Sequence, residues 1–309
     1  MERQLSSVPI TVREVIADAI RDSDGLHGWT TFMLIDPILG DPLGDIGGEE
    51  RERTSLPINP TLMSEVHFPY LIMLGEVGRD SLIDSALERA IDEVDGRQGL
   101  VAGARSVCAF FVTKHSSKMV AKRLAESASV RVDGERRLFR FWDPRVMDLL
   151  TRFAGSDEIE TLLSPAERWC WIARDGRAES LTMVAESQNS KLQLLNTERF
   201  LNFGRINKFF DVLKSDAFAI RKIDCVSVDR IMRKGLEKWL LQSDYEVVSY
   251  ALHSILLGEG FDDDEQVRWH MDNGIREGRS PVVELEALSE VFWTALSERL
   301  GQVAYRSWT

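Results

Sequence analysis

Cysteine is scarce in this chain of 309 residues, which contains only Cys108, Cys170 and Cys225. The three are odd in number, lie far apart and show no CxxC spacing. Such a pattern argues against a disulfide framework. We interpret the cysteines as buried small hydrophobic residues of a protein from a reducing compartment.

Long hydrophobic runs are also missing from the sequence. No stretch reaches the length of about 18 apolar residues that a membrane-spanning helix needs. The N-terminal segment MERQLSSVPITVREV lacks the apolar core of a signal peptide. We therefore expect a cytoplasmic protein that does not insert into a membrane.

The chain has no excess of positive charge. It carries 38 lysines and arginines against 50 aspartates and glutamates, which gives a formal net charge of −12 and a pI of about 5.0. The basic footprint of a nucleic-acid-binding protein is therefore absent from the chain as a whole. We predict no nucleic-acid partner, whereas basic protein partners remain compatible with this charge.

Familiar catalytic motifs are absent as well. The sequence has no GxxxxGK[ST], no GxGxxG after a strand, no GxSxG and no HExxH. His270 with the acidic run 262–264 is one candidate cation site, but aspartates at a helix start also cap free amides and complement the helix dipole. Cys108 with His115 is a candidate nucleophilic pair, although Cys108 lies in an apolar run typical of an inert buried thiol. We predict a protein that is not an enzyme and holds no metal or cofactor.

Apolar runs and turn residues divide the chain into three parts. A helix and a polar turn occupy residues 1–28, an α/β lobe occupies residues 29–187, and a helical lobe occupies residues 188–309. With 44% hydrophobic residues, the chain has enough apolar material for a sizeable core. The predicted fold class is α+β, with a mixed sheet in the N-terminal α/β lobe and an all-helical C-terminal lobe.

The N-terminal lobe combines buried strands with two hairpins. Strands are predicted for the apolar runs WTTFMLID, PYLIML and SVCAFFV. Asp133-Gly134 and Asp175-Gly176 supply the positive φ angles that tight hairpin turns require. Residues 37–60 are rich in proline and glycine and are predicted to form one long loop.

The C-terminal lobe carries apolar stripes at helical spacing. Its last helix is predicted to begin after Ser280, the N-cap, with Pro281 in the first position and Gly301 after its end. Stripes of this kind form the core of most proteins, but they also build grooves for a partner helix. The sequence leaves both interpretations open, and the candidate partner-binding residues are Phe200, Phe203, Phe209, Phe210, Trp239, Phe292 and Trp293.

The stretch LFRFWDP, residues 138–144, reads as a junction between a strand and a helix. Strand alternation places Phe139 and Phe141 on one face, with Arg140 and Trp142 on the other. An arginine among large aromatic side chains needs a carboxylate or a ring face if it is buried.

The helix after this junction has a clear start. Asp143 is placed as the N-cap and Pro144 as the first helical residue. Arg145 opposes the helix dipole in the first turn, at a cost of a few tenths of a kcal/mol. We predict a structural ion-pair network around Asp143, with a partner-recognition surface and a catalytic role as the two alternatives.

The run RLFRFWDPRVMDLL resembles the signature of the type VI secretion effector adaptors, the Tap/Tec-type effector chaperones long classed as a domain of unknown function. Both have an aromatic-Arg-aromatic-aromatic-Asp-Pro-Arg run ahead of an apolar helix. The segments FMLID, FPYLIML, SKMVAKRLAESASVRVDGE and LLSPAERWCWIARDG are similar to further parts of that domain, so the resemblance covers roughly residues 29–180. Trp142 stands where tyrosine is commoner. The signature residues by position are Phe139, Arg140, Phe141, Trp142, Asp143, Pro144 and Arg145.

This resemblance implies a non-enzymatic adaptor and chaperone in the cytoplasm of a Gram-negative bacterium. Members of the family bind a cognate toxic effector and help load it onto the VgrG spike for toxin delivery. The implied partners are a secreted effector and a VgrG-type spike protein, and we expect the helical lobe to select the effector. Two alternatives stay open: an enzyme with an unfamiliar site at Asp143, Arg145 or Cys108, and a chaperone that masks a transmembrane segment of an effector.

Overall fold

The computed structural model describes residues 14, 16, 18, 29–74, 81–96, 105–132, 134–183, 197–213 and 223–300. Most of the predicted N-terminal segment 1–28 lies outside the described residues; Glu14, Ile16 and Asp18 are helical. The chain divides into two compact units, Met1–Thr197 and Glu198–Thr309. The predicted border between residues 187 and 188 also falls outside the described residues.

The first unit is built on a six-stranded sheet and a separate two-stranded hairpin. The sheet has the order β2-β3-β1-β4-β7-β8, and the hairpin pairs β5 with β6. The strands are β1 (Thr30–Ile35), β2 (Arg53–Ser55), β3 (Tyr70–Met73), β4 (Val107–Thr113), β5 (Ser129–Val132), β6 (Glu135–Leu138), β7 (Arg168–Ile172) and β8 (Ala178–Thr182). The helices are α1 (Ser81–Asp95), α2 (Ser117–Ala128), α3 (Pro144–Phe153) and α4 (Ser156–Leu163).

The fold class α+β is confirmed, but the prediction of a mixed sheet is wrong. Every described pair of strands in the sheet is antiparallel. The helix α1 does connect two strands of the same direction, β3 and β4. Because β1 lies between them and runs opposite to both, this crossover produces no parallel ladder.

Both faces of the sheet are buried at its central strands. One face carries Met33, Ile72 and Phe110 in a core that includes Leu82, Ile83 and other apolar residues of α1. The opposite face carries an aromatic stack in which the ring centroids of Phe32 and Phe111 lie 5.6 Å apart and those of Phe111 and Trp169 lie 5.1 Å apart. The buried strand predicted from SVCAFFV is confirmed, because all seven residues of β4 are buried. The strand predicted from PYLIML is present as β3, but its last residue, Met73, is 60% exposed.

Residues 37–60 are more ordered than the predicted loop. They contain a 3-10 turn at Pro37–Leu39 and the edge strand β2, and they bury Leu43 and Ile46. Asp41 holds this segment to the sheet, since it accepts hydrogen bonds from the Tyr70 hydroxyl at 2.5 Å and from Arg53 Nη1 at 2.6 Å. The prediction of one long loop is therefore wrong. The many prolines and glycines of residues 37–60 are typical of a loop, and β2 has only three residues, which is too short to show the alternation of a strand.

The described residues of the second unit form helices and their connections, with no strand. Its helices are α5 (Thr197–Val212), α6 (Cys225–Lys238), α7 (Asp244–Leu257), α8 (Glu265–Arg276), α9 (Pro281–Glu286) and α10 (Glu290–Arg299). The predicted helix after Ser280 is in fact two helices, because the Ser289 side chain accepts a hydrogen bond from Phe292 N and begins α10 anew. None of the described helices is long and apolar enough to cross a membrane.

Candidate functional site

The LFRFWDP stretch forms a tight turn between β6 and α3. The strand ends at Leu138, and Phe141 N then donates to the Phe139 carbonyl at 2.9 Å. Because the chain turns here, strand alternation does not hold: the consecutive residues Phe141 and Trp142 are both fully buried. The prediction that the strand runs through Phe139 and Phe141 is therefore wrong. The ring of Phe141 packs edge-on against Trp142, and its centroid also lies 6.3 Å from that of Phe139.

Asp36, at the end of β1, is the carboxylate that Arg140 requires. Its Oδ2 atom accepts hydrogen bonds from Arg140 Nε at 3.0 Å and from Trp142 Nε1 at 2.8 Å, and Arg140 Nη2 lies 2.8 Å away. The Asp36 side chain is fully buried, whereas that of Arg140 is 26% exposed. This contact joins the junction to the central strand of the sheet.

Asp143 caps α3, as predicted. It accepts a hydrogen bond from Arg145 N at 2.9 Å, and its two oxygens also accept from Arg145 Nε at 3.0 Å and Nη2 at 2.7 Å. Burial raises the pKa of Asp143, but the hydrogen bonds and charge of Arg145 outweigh burial and hold that pKa below its usual range. This ion pair offsets the unfavourable position of the Arg145 charge at the helix start.

We call Asp36, Arg140, Trp142, Asp143 and Arg145 the junction network. Next to it lies a second set of buried polar groups on α1 and at the start of β4. Glu93 is fully buried and accepts hydrogen bonds from Ser106 N at 2.9 Å, from Ser106 Oγ and from Arg89 Nε at 2.9 Å.

Arg105 connects the two sets electrostatically. Burial lowers the pKa of the Arg105 guanidinium, while the charges of Asp143, Glu93 and Asp148 oppose that shift. The sequence interpretation missed Asp36, Glu93 and Arg105. A signal existed for Glu93, which follows Ala90 by three residues in the apolar stripe of α1 and so faces the core.

Asp148 extends these contacts from α3 to the second hairpin. It accepts hydrogen bonds from Trp171 Nε1 and from Arg174 N, each at 2.8 Å. Burial raises the pKa of Asp148. The carboxylates around the junction thus receive indole, guanidinium and backbone donors, an arrangement that fixes elements in place.

Cys108 lies in the same region but its thiol is not activated. The side chain is buried, and Sγ contacts the carbonyl oxygens of Arg105 at 3.4 Å and Ser106 at 3.7 Å. Burial, followed by the charges of Asp36 and Asp143, raises the pKa of this thiol well above its usual range. Such a thiol remains protonated at neutral pH and is a poor nucleophile.

The acidic run before α8 is paired with cations of its own unit. Asp262 is fully buried and accepts hydrogen bonds from Lys234 at 2.5 Å, Lys238 at 2.9 Å, Trp239 Nε1 at 2.8 Å and the Tyr250 hydroxyl at 3.0 Å. In the described part of the chain, no group of three or more histidines, cysteines or acidic residues is placed to hold a metal ion.

Most of the partner-binding candidates of the helical lobe lie in its core. Each is at most 4% exposed, and the group consists of Phe203, Phe209, Phe210, Trp239 and Trp293. Of the two interpretations that the sequence left open, these residues fit the core, and partner binding through them stays a prediction. The Phe200 side chain lies outside the described residues.

Phe292 is the half-buried exception among these candidates. It lines a surface groove of about 500 Å³ together with Glu265, Gln266, Trp269 and His270. Trp269 is 57% exposed, so a large aromatic ring in the lining of this groove is accessible to solvent. We refer to these five residues as the α8–α10 groove.

Comparison with known proteins adds one finding. A family model described as "Domain of unknown function (DUF4123)" matches residues 69–160, from the strand β3 into α4. The match contains every residue of the junction network except Asp36. No curated protein matches the chain, and no solved structure matches it.

Arg145→Ala should destabilise the protein by about 3 kcal/mol, because it leaves the buried Asp143 carboxylate without its guanidinium. The measurement is the free energy of unfolding in urea. Arg177→Ala is the matched control, since Arg177 pairs with Asp175 at the same spacing and at 2.6 Å but is 71% exposed. That control should cost less than about 1 kcal/mol. An Arg145→Ala variant of native stability that failed to bind its partner would reassign this stretch to recognition.

Proposed function

We propose that this protein is a non-enzymatic cytoplasmic adaptor of a type VI secretion system. It binds a cognate effector and helps to load that effector onto a VgrG-type spike protein. The observation that carries the proposal is the signature block Phe139–Arg145, which resembles the effector adaptors and lies inside the segment matched by the domain family. That domain is known in type VI secretion effector adaptors.

The geometry of the junction supports a structural role for the signature. Asp143 accepts hydrogen bonds from the backbone and the side chain of Arg145, and Asp36 accepts hydrogen bonds from Arg140 and Trp142. Both carboxylates are buried and are held by charged or indole donors, so neither is presented to a substrate. The buried, protonated Cys108 thiol also argues against nucleophilic catalysis.

The helical unit is the better candidate for choosing the effector. The family match ends at residue 160 and does not include this unit. Its α8–α10 groove exposes Trp269, and tryptophan is enriched among residues that dominate binding energy. Because the signature is shared by a whole family, it cannot determine which effector an individual member binds. A groove outside the signature can differ between members and so can select the effector.

The test is co-expression of the full chain with the toxin encoded by a neighbouring gene, followed by co-purification and by secretion of the toxin from a strain lacking this chain. We expect co-purification and a loss of secretion that the native chain restores. Normal secretion without the chain, together with no co-purification, would refute the adaptor function.

Trp269→Ala tests the groove within the same assay. It should weaken effector capture about tenfold or more, as expected for a central aromatic contact. Tyr245→Ala is the matched control, because Tyr245 is an aromatic residue of the same unit that is 59% exposed and hydrogen-bonded to Glu286. If Trp269→Ala retained the effector as well as Tyr245→Ala does, the assignment of the effector to this groove would be wrong.

A further inference from the structure

The β5–β6 hairpin brings two arginines into direct opposition. Its register pairs Arg131 with Arg136 across the two strands. Residues directly opposite in an antiparallel pair share one face, with Cβ atoms about 5 Å apart. Both side chains are exposed, so this arginine pair faces solvent.

Like charges in this position destabilise a hairpin. The neighbouring Arg137 lies on the other face, next to Val130 in the register, and has Glu135 at 3.5 Å. Within the described residues, neither Arg131 nor Arg136 has an ion-pair partner. Among the described residues, the charges of this pair therefore repel each other without a compensating ion pair, and an external anion would reduce that repulsion.

The surrounding sequence adds to this positive charge. Residues 114–140 contain eight lysines and arginines but only three acidic residues, in a chain whose net charge is −12. Lys118, Lys122 and Arg123 are exposed on α2, the helix that leads directly into β5. The hairpin is thus part of a local basic surface on an acidic protein. This arrangement favours binding of a specific anionic partner at the hairpin over non-specific attraction of anions to the whole protein.

We propose that the arginine pair binds the carboxylates of an acidic segment of a protein partner. A guanidinium group is a planar fork whose N–H groups donate hydrogen bonds to both oxygens of a carboxylate in bidentate geometry. A nucleic acid is the weaker candidate, because the net charge of −12 repels a long polyanion and because the exposed residues of the hairpin include no aromatic side chain for base stacking. The identity of the partner as a secretion component rests on the proposed function.

The experiment titrates the full chain against a fluorescein-labelled ten-residue peptide of alternating glutamate and glycine, with fluorescence anisotropy as the readout. Arg131→Gln/Arg136→Gln should weaken binding about tenfold or more at low salt, since two charge-assisted contacts are lost. Lys118→Gln/Lys122→Gln is the matched control: it removes the same charge from the same unit and should change binding by less than about threefold. A peptide of alternating glutamine and glycine, which carries no charge, should not bind the native chain or either double variant.

Three results would overturn the proposal. The first is that the glutamate peptide does not bind the native chain. The second is that the two double variants lose the same amount of peptide affinity, which would mean that binding depends only on net charge. The third is tighter binding to a short DNA duplex than to the peptide. The thermal midpoint of Arg131→Gln/Arg136→Gln checks the fold and should equal or exceed that of the native chain, because a repulsion is removed.

If this double variant does unfold at a lower temperature, Arg131→Lys/Arg136→Lys replaces it. It keeps both charges but loses the guanidinium forks, and we expect peptide binding to weaken at least threefold; unchanged binding would overturn the bidentate site. If the chain bound the peptide but not the toxin, the adaptor function would be refuted. The assignment of the arginine pair as an anion site would still hold.

Discussion

Replacing Asp36 with asparagine should lower the free energy of unfolding by about 3 kcal/mol, among the largest effects of any single substitution in the first unit. The substitution removes the charge that Arg140 faces at 2.8 Å and weakens the acceptor of the Trp142 indole at 2.8 Å. Because Trp142 is fully buried, its indole N–H has no access to water in compensation. Urea titration of the full chain, followed by circular dichroism, measures this loss.

Asp45→Asn is the control for Asp36→Asn. Asp45 also forms an aspartate–arginine pair in the first unit, with Arg89 at 2.8 Å, but its side chain is 67% exposed. Water and ions screen such a pair, so its loss should cost less than about 1 kcal/mol. Equal effects of the two substitutions would mean that burial of Asp36 contributes nothing and that the junction network does not anchor the sheet.

Asp262→Asn should destabilise the second unit by a similar amount, about 3 kcal/mol. Asp262 is fully buried and accepts from two lysines, the Trp239 indole and the Tyr250 hydroxyl, so asparagine leaves several donors poorly matched. Asp263→Asn provides the control from the next position. Its side chain is 59% exposed and pairs with Lys238 at 3.0 Å, and we expect a loss below about 1 kcal/mol.

The effect of Asp262→Asn should also depend on pH. Burial raises the pKa of Asp262, but its hydrogen bonds to Lys234, Trp239 and Lys238 outweigh burial and lower it. A carboxyl with a lowered pKa in the folded state stabilises the protein above its unfolded pKa of about 4, and this contribution is lost as pH falls below that value. The difference in stability between the native chain and Asp262→Asn should therefore be full at pH 7 and shrink below pH 4. A difference that stayed constant would refute the role of the charge.

The features that the sequence predicted correctly are set by short-range chemistry. Gly134 and Gly176 both take φ near +81° at the tips of the two hairpins, where few other residues fit. Asp143 caps α3 through a hydrogen bond that it accepts from the backbone N–H two positions ahead. Each of these signals lies within a few consecutive residues, so it can be recognised without knowing how the rest of the chain folds.

The features that could not be predicted depend on pairings between distant residues. Arg140 demanded an acidic partner, but nothing nearby identified Asp36, which lies 104 positions earlier. The insertion of β1 between β3 and β4, which makes the sheet antiparallel, likewise depends on long-range pairing. The division of the last predicted helix at Ser289 was a local signal that the strong apolar spacing of the surrounding residues concealed.

The position of β1 has a consequence for the borders of the matched domain. The family match begins at residue 69, after β1 and Asp36 in the chain. A fragment cut at those borders would retain β3 and β4, two strands of the same direction, without the strand that hydrogen-bonds to both. Arg140 and Trp142 would also lose their common acceptor. The segment defined by sequence similarity is therefore smaller than the sheet to which it contributes, which already includes β1 from Thr30 onward.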